Sequence, residues 1–266
     1  MKKTLQIANG IALVSTIIIN YLSNTGAINN TTIGEVSNNI DSRFTPAGYA
    51  FSIWGIIYLL LLGFIIYQGR SLFVRVRNDD FVLKTGWWFV ISCMANSAWV
   101  LVWLCGYIGL SCVFIFLLLF ALLRIVVNND MELYDEPISV ISFVWWPFVI
   151  YSGWVTVASI TNVAAYLKSE GWDGFGVSQV SWTIIMIIIA TVINLMVIWK
   201  RNMREFALVG AWALVAIAIA NNDTQPVIMY VAVAAAVILV ISSAVHGYKN
   251  RATNPIEKCR QYLRKS

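Results

Sequence analysis

Apolar residues in this chain come in runs of fifteen to thirty, separated by short stretches that hold nearly all of the charge. A helix crosses the hydrocarbon layer of a bilayer in about 20 apolar residues and satisfies its own backbone hydrogen bonds, so each run predicts a transmembrane helix. Eight are read: Thr4 to Leu22, Pro46 to Gln68, Trp87 to Leu104, Tyr107 to Val127, Ile138 to Leu167, Val180 to Trp199, Phe206 to Ala220 and Pro226 to Val245. The seventh is short. The fold class expected is therefore all-α, a polytopic membrane helix bundle of about eight transmembrane helices. Composition agrees: 59% of the 266 residues are hydrophobic and 12% charged, against roughly 45–50% and about 25% in soluble domains, and the apolar surplus must face lipid.

Charge sets the expected orientation. With Met1 in the cytoplasm, 16 of the 18 Lys and Arg fall in cytoplasmic segments, including Lys2, Lys3, Arg70, Arg75, Arg77, Lys84, Arg124, Lys200, Arg201 and Arg204, and only Arg43 and Lys168 lie outside. Such a bias is what the positive-inside rule describes, so both termini are expected in the cytoplasm, in the plasma membrane if the source is bacterial. The net charge of +5 then belongs to anchoring loops, and nucleic acid is excluded as a partner. The opening "MKK" before an apolar run also fits a secretory signal; it is read as the first helix.

Several chemistries are disfavoured. All 13 Asp and Glu lie in loops, at span ends or in the tail, whereas coupled carriers usually place ionisable groups at mid-membrane. No buried lysine is available for a retinal Schiff base. The only histidine, His246, closes the last run, and Cys93, Cys105, Cys112 and Cys259 lack metal-ligand spacing. Cys105 and Cys112 could meet across the outer turn between the third and fourth runs, but are read as free thiols. No phosphate loop or nucleophile elbow is present. Catalytic and metal-binding residues are accordingly expected to be absent, and an enzyme is the less favoured reading.

Aromatic and amide side chains remain. Trp87, Trp88, Trp182 and Trp199 sit at span ends, where an indole prefers the headgroup region. Three other tryptophans lie inside spans, each on a stripe at helical spacing: Phe51, Trp54 and Tyr58 in the second run; Ser92, Asn96, Trp99 and Trp103 in the third; Tyr151, Trp154, Ala158 and Asn162 in the fifth. Lipid tails offer no partner for an indole N–H or an amide, so these faces should turn into the bundle, either as glue between helices or as the wall of a cavity. Trp54 and Trp154 reach similar depth and are expected on either side of a planar ligand.

These stripes also carry a resemblance. "FTPAGYAFSIWGIIYLLLLGFIIYQ" (Phe44 to Gln68), "NSAWVLVWLCG" (Asn96 to Gly106) and "YSGWVTVASITNVAAY" (Tyr151 to Tyr166) resemble the second, third and fifth helices of the TspO/MBR family, the tryptophan-rich sensory proteins that include the mitochondrial translocator protein. The family's paired prolines before the second helix are reduced to Pro46, and Val100 and Leu101 replace its proline-containing step after the third-helix tryptophan. The resemblance covers roughly Met1 to Lys168 and has no counterpart for the last three runs. It divides the chain into a five-helix bundle (1–168), three additional helices (169–248) and a basic tail (249–266).

The resemblance implies a membrane protein that binds a tetrapyrrole such as protoporphyrin, with a sensory or regulatory role and no required cofactor. The ligand site it implies holds Phe51, Trp54, Tyr58, Asn96, Trp99, Tyr151, Trp154, Ala158 and Asn162, under a lid formed by the loop from Ser23 to Arg43. A weak sterol-type pattern, Val163 with Tyr166 and Lys168, also occurs. Export of a small apolar compound and photo-oxidative porphyrin breakdown are the alternatives. The partners expected are membrane lipid and a small hydrophobic ligand, with a homodimer left open.

Overall fold

In the computed structural model, residues 1–40, 42–74, 76 and 79–250 are described. Asp41, Arg75, Arg77, Cys259 and the basic tail after Asn250 lie outside them. Helices form over all eight apolar runs: α1 (Lys2–Ser23), α3 (Gly48–Leu72), α5 (Trp88–Leu104), α6 (Ile108–Asn128), α7 (Ile138–Ser169), α8 (Gln179–Arg201), α9 (Arg204–Ala220) and α10 (Pro226–Lys249). Two short helices, α2 (Ile33–Asn39) and α4 (Phe81–Thr85), interrupt the loops. No strand occurs among the described residues. Six helices are long and apolar enough to cross a membrane; α5 and α9, with 17 residues each, rise about 25 Å at 1.5 Å per residue.

The bundle is built around α7. It packs on α3, α6 and α9, while α1 leans on α5 and α3. One buried cluster runs through α1, α3, α5, α6 and α7 and takes in Phe206, Val209, Ala213 and Ala216 of α9. A second joins α8, α9 and α10, with Phe44 inserted from the chain before α3. Helix α9 therefore belongs to both clusters, and its small side chains make that feasible. Gly153 of α7 is a point of close approach to α9: a Cβ there would lie 2.9 Å from the Phe206 carbonyl oxygen and 3.2 Å from its Cα. Helices approach this closely in membranes where a small residue removes the side chain from the interface.

A proline also shapes α7. Pro147 has no N–H to donate and its ring crowds the carbonyl four residues back, at Phe143. The turn Ile141–Trp145 is wound as a π-helix, which absorbs that misfit without breaking the helix.

Loop contacts sort into two ends. At the end where α1 starts, Lys2 pairs with Asp79, Asn128 donates to the Lys84 carbonyl at 3.2 Å and Asn202 to the Glu132 carbonyl at 2.9 Å. Burial works to raise the Asp79 carboxyl, but hydrogen bonds from Lys2 and Ser71 and the Lys2 charge outweigh it and hold the group below its ordinary value of 3.8. At the far end Asn29 donates to the Leu104 carbonyl at 2.7 Å, and the chain before α3 is fastened to α9. There Ala47 N–H donates to the Ala216 carbonyl at 3.1 Å, Trp212 Nε1 to Ala50 at 3.3 Å and Asn221 Nδ2 to Arg43 at 3.0 Å.

Candidate ligand-binding site

Three aromatic faces meet beneath the far end. Helices α3, α5 and α7 bring Phe51, Trp54, Trp99, Trp103, Trp154, Ala158 and Asn162 around one small chamber of about 30 Å³, room for about one water. Its roof is Ile33 and Ser37 of α2 together with Pro46. Beside it, a groove of about 700 Å³ runs between α1 and α3, within the range of roughly 300–1,000 Å³ typical of small-molecule sites. Ile33, Phe51 and Trp54 line both spaces, so the Trp54 indole stands in the partition between them. Tyr58 lines the groove alone.

The rings are packed against one another. Trp54 stacks on Tyr58 with centroids 5.6 Å apart and planes at 20°, and meets Tyr151 edge to face at 5.7 Å. Trp54 and Trp154 lie 6.4 Å apart at 85°, and Phe51 also meets Trp154 edge to face at 6.0 Å. The sequence places Trp54 and Trp154 on opposite sides of a planar ligand; instead they touch, and no gap separates parallel faces. Edge-to-face contact satisfies the ring quadrupoles directly when nothing lies between them.

Polar groups divide into two sets. Asn162 accepts from Trp99 Nε1 at 2.7 Å and donates to Ser111 Oγ at 2.8 Å, joining α5, α6 and α7. Asn96 accepts from Asn20 of α1 at 2.7 Å, and Trp103 Nε1 donates to the Ile33 carbonyl at 3.3 Å, holding α2 down. By contrast, Trp54 Nε1, Tyr58 Oη, Asn96 Nδ2 and Trp154 Nε1 are buried without a hydrogen-bond partner. All four can donate. Buried polar groups are nearly always paired, and a cluster of four donors without partners departs from that rule.

The family described as TSPO-like protein matches residues 6–245. The chain belongs to that family. Comparison with curated proteins and with solved structures gives no match. The TSPO-like match continues past Lys168 through α8, α9 and α10, and with the apolar helices it makes this an integral, multi-pass membrane protein.

Within this TSPO-like bundle, all nine residues singled out from the sequence lie in one neighbourhood, with different parts. Phe51, Trp54, Trp99, Trp154, Ala158 and Asn162 line the chamber; Tyr58 lines the groove; Asn96 and Tyr151 are fully buried behind Trp54. Ile33, Ser37, Pro46, Trp103, Val157 and Thr161 line the chamber as well without having been singled out as ligand residues. Trp103 and Pro46 were visible, one at the end of the third-run stripe and the other at the start of the second run. The segment Ser23 to Arg43, read as a loop, contains α2, opened by a capping box: Glu35 N–H donates to Thr32 Oγ1 at 3.2 Å and Thr32 N–H to Glu35 Oε2 at 2.8 Å. A Thr and a Glu three apart before an apolar residue are the sequence signal for it.

Val163 and Lys168 of the sterol-type pattern line a second cavity, whereas Tyr166 lies over Gly109 of α6, so the three do not share a surface. Cys93, Cys105 and Cys112 are free, and no group of metal-ligating side chains occurs among the described residues. The interfacial indoles have partners: Trp199 Nε1 donates to Ser242 at 2.9 Å and Trp182 Nε1 to the Gly174 carbonyl at 2.8 Å.

Proposed function

We propose that the protein binds a flat hydrophobic molecule bearing acceptor atoms, a tetrapyrrole of the porphyrin type, and that occupancy has a sensory or regulatory consequence. The four unpaired buried donors carry this reading. The two unprotonated ring nitrogens and the propionate oxygens of a porphyrin are acceptors, and its flat face suits indole and phenol rings. The groove between α1 and α3 has the volume for such a body; the chamber behind Trp54 has not. A ligand in the groove that also engages the chamber side, where Trp154 and Ala158 lie, requires Trp54 and Trp154 to part from their edge-to-face contact, with the rings of both re-used on the ligand. In this reading Asn162 and Trp99 position the site and do not touch the ligand, because they satisfy each other.

Titration of protoporphyrin into the detergent-solubilised full chain, followed by its absorption shift, tests the proposal. Trp154→Leu is expected to weaken binding about fivefold or more, the equivalent of roughly 1 kcal/mol for an aromatic contact, and Ala158→Phe to block it by filling the space between chamber and α7. Trp199→Leu, at the other end of the bundle, should bind as wild type does. Melting temperature serves as the folding control. Equal affinity in wild type, Trp154→Leu and Ala158→Phe would overturn the assignment.

The same proposal orients the protein, on the count of 16 basic residues against two, with both termini in the cytoplasm and the lid outside. Reporters fused after Asn38 and Trp172 are expected to read external, and those after Arg204 cytoplasmic. A cytoplasmic signal at Trp172 contradicts this.

A further inference from the structure

Arg43 and Lys168 are the two basic residues that the charge count sets apart from the rest. They are far apart in sequence, yet both stand on the wall of one cavity of about 280 Å³. Helix α7 separates it from the tryptophan chamber: Val157, Ala158, Thr161 and Asn162 face the chamber, while Val163, Ala164, Leu167 and Lys168 face this second space. Its other walls come from α8 and from the chain before α3, so it exists only because the C-terminal helices pack where they do.

The cavity is built. Phe44, Leu167 and Met186 give it an apolar interior, and Trp172 and Trp182, with ring centroids 5.2 Å apart, close one side. The loop 172–176 reaches Trp182 through Gly174, whose φ is +72° and at which a Cβ would lie 2.9 Å from the indole. A side chain would be excluded there by both conformation and space. Charge is concentrated at the cavity. Among the described residues the only ion pair is Lys2 with Asp79, so neither Arg43 nor Lys168 is neutralised within 4 Å. Arg43 donates to the Thr224 hydroxyl at 3.2 Å. Asp173 shares the wall but accepts the Phe175 N–H at 2.9 Å, and among the described lining residues one positive charge is still in excess.

We propose that this cavity is a second binding site, for an amphipathic anion: one alkyl chain or compact apolar body among Phe44, Leu167 and Met186, and a carboxylate or phosphate held by Arg43 and Lys168. Basic residues on this side oppose the positive-inside bias that the rest of the chain obeys, and an anionic headgroup is what compensates two of them on the wall of one cavity. A volume of about 280 Å³, at the small end of ligand cavities, holds one chain and not two. Indoles at headgroup level place the site at the membrane boundary. A free amphiphile and the headgroup and one chain of a bilayer lipid share this chemistry.

The test uses the full chain in phosphatidylcholine nanodiscs and dodecanoate carrying a photoreactive diazirine at its tail, with labelled peptides mapped by mass spectrometry. Labelling is expected in the Phe44 and α7–α8 segments, and unlabelled dodecanoate and dodecyl phosphate should compete roughly tenfold better than dodecanol, as a charge-assisted contact requires. Arg43→Gln with Lys168→Gln should reduce labelling by a similar factor, Arg43→Lys with Lys168→Arg should retain it, and Ala164→Trp should abolish it, all at unchanged melting temperature. Protoporphyrin binding in the two charge variants should match wild type, which keeps this site separable from the first. Phosphatidylglycerol in the disc identifies the source: loss of labelling assigns the site to lipid, and persistence to a free amphiphile. Labelling scattered over lipid-facing surfaces, equal competition by dodecanol, or undiminished labelling in the Gln variant overturns the proposal.

Discussion

Gly153→Ala is expected to lower the melting temperature of the detergent-solubilised protein, and Gly153→Val to lower it further. The added Cβ would meet the Phe206 carbonyl oxygen at 2.9 Å, its Cα at 3.2 Å and the Val209 Cβ at 3.3 Å. Two of these are backbone atoms of α9, which no rotamer change can move, so the helices themselves must separate. Overpacking of this kind costs about 1–3 kcal/mol, or on the order of 2–4 °C for each kcal/mol in a chain of this size. Gly55 is the control, because a Cβ there meets nothing within 4 Å; in a helix its replacement by alanine is neutral or slightly stabilising. If Gly153→Ala melted together with Gly55→Ala, the close approach of α7 and α9 would not exist as described. A large drop would also support treating α8, α9 and α10 as part of one packed body with the first five long helices.

Asn162→Leu should destabilise the protein by about 1–3 kcal/mol, from two interhelical hydrogen bonds worth roughly 0.6 and at most about 1.7 kcal/mol each in membranes, plus an indole N–H left buried. The amide accepts from Trp99 and donates to Ser111, so its removal loosens α5, α6 and α7 at once. Adding Trp99→Phe to Asn162→Leu should recover part of the loss, since removing both partners leaves no unsatisfied donor. A coupling energy of at least about 0.5 kcal/mol in the double-mutant cycle is expected. Strict additivity would mean that the bond contributes nothing, and would return Asn162 to the set of residues free to meet a ligand.

That last point shows what the sequence could and could not yield. Helical spacing was enough to place Phe51, Trp54 and Tyr58 on one face of α3 and Tyr151, Trp154, Ala158 and Asn162 on one face of α7, because lipid forces polar and aromatic faces inward whatever the partners are. Which donor meets which acceptor depends on helix rotation and depth, to which periodicity is blind. Asn162 and Trp99 were indistinguishable from Asn96 and Trp154 by spacing, yet the first two satisfy each other and the latter keep unpaired N–H groups. Asn194 is a further instance. An amide inside an apolar span calls for a partner across a helix interface, but its Nδ2 donates to Ala190 of its own helix at 2.8 Å, and its head rests on Gly210 of α9. Helix α2 escaped notice because its seven residues are mostly polar, and a short polar helix leaves no apolar run to read.

The attachment of the chain before α3 to α9 has a kinetic consequence. The segment that roofs the tryptophan chamber is moored at one end by Asn29 and Trp103 on α5 and at the other by Ala47, Ala50 and Arg43 on α9. A guest that enters or leaves past this roof must loosen one mooring, and the α9 mooring is made of backbone groups, the Trp212 indole and the Asn221 amide, none of which lines the chamber or the groove. Under the proposed binding function, residence time and equilibrium affinity would be controlled by different residues: the rings would set how tightly a guest is held, and the order of α9 how long the door stays shut. Substitutions at Trp212 or Asn221 would then change association and dissociation rates in parallel while leaving their ratio nearly constant.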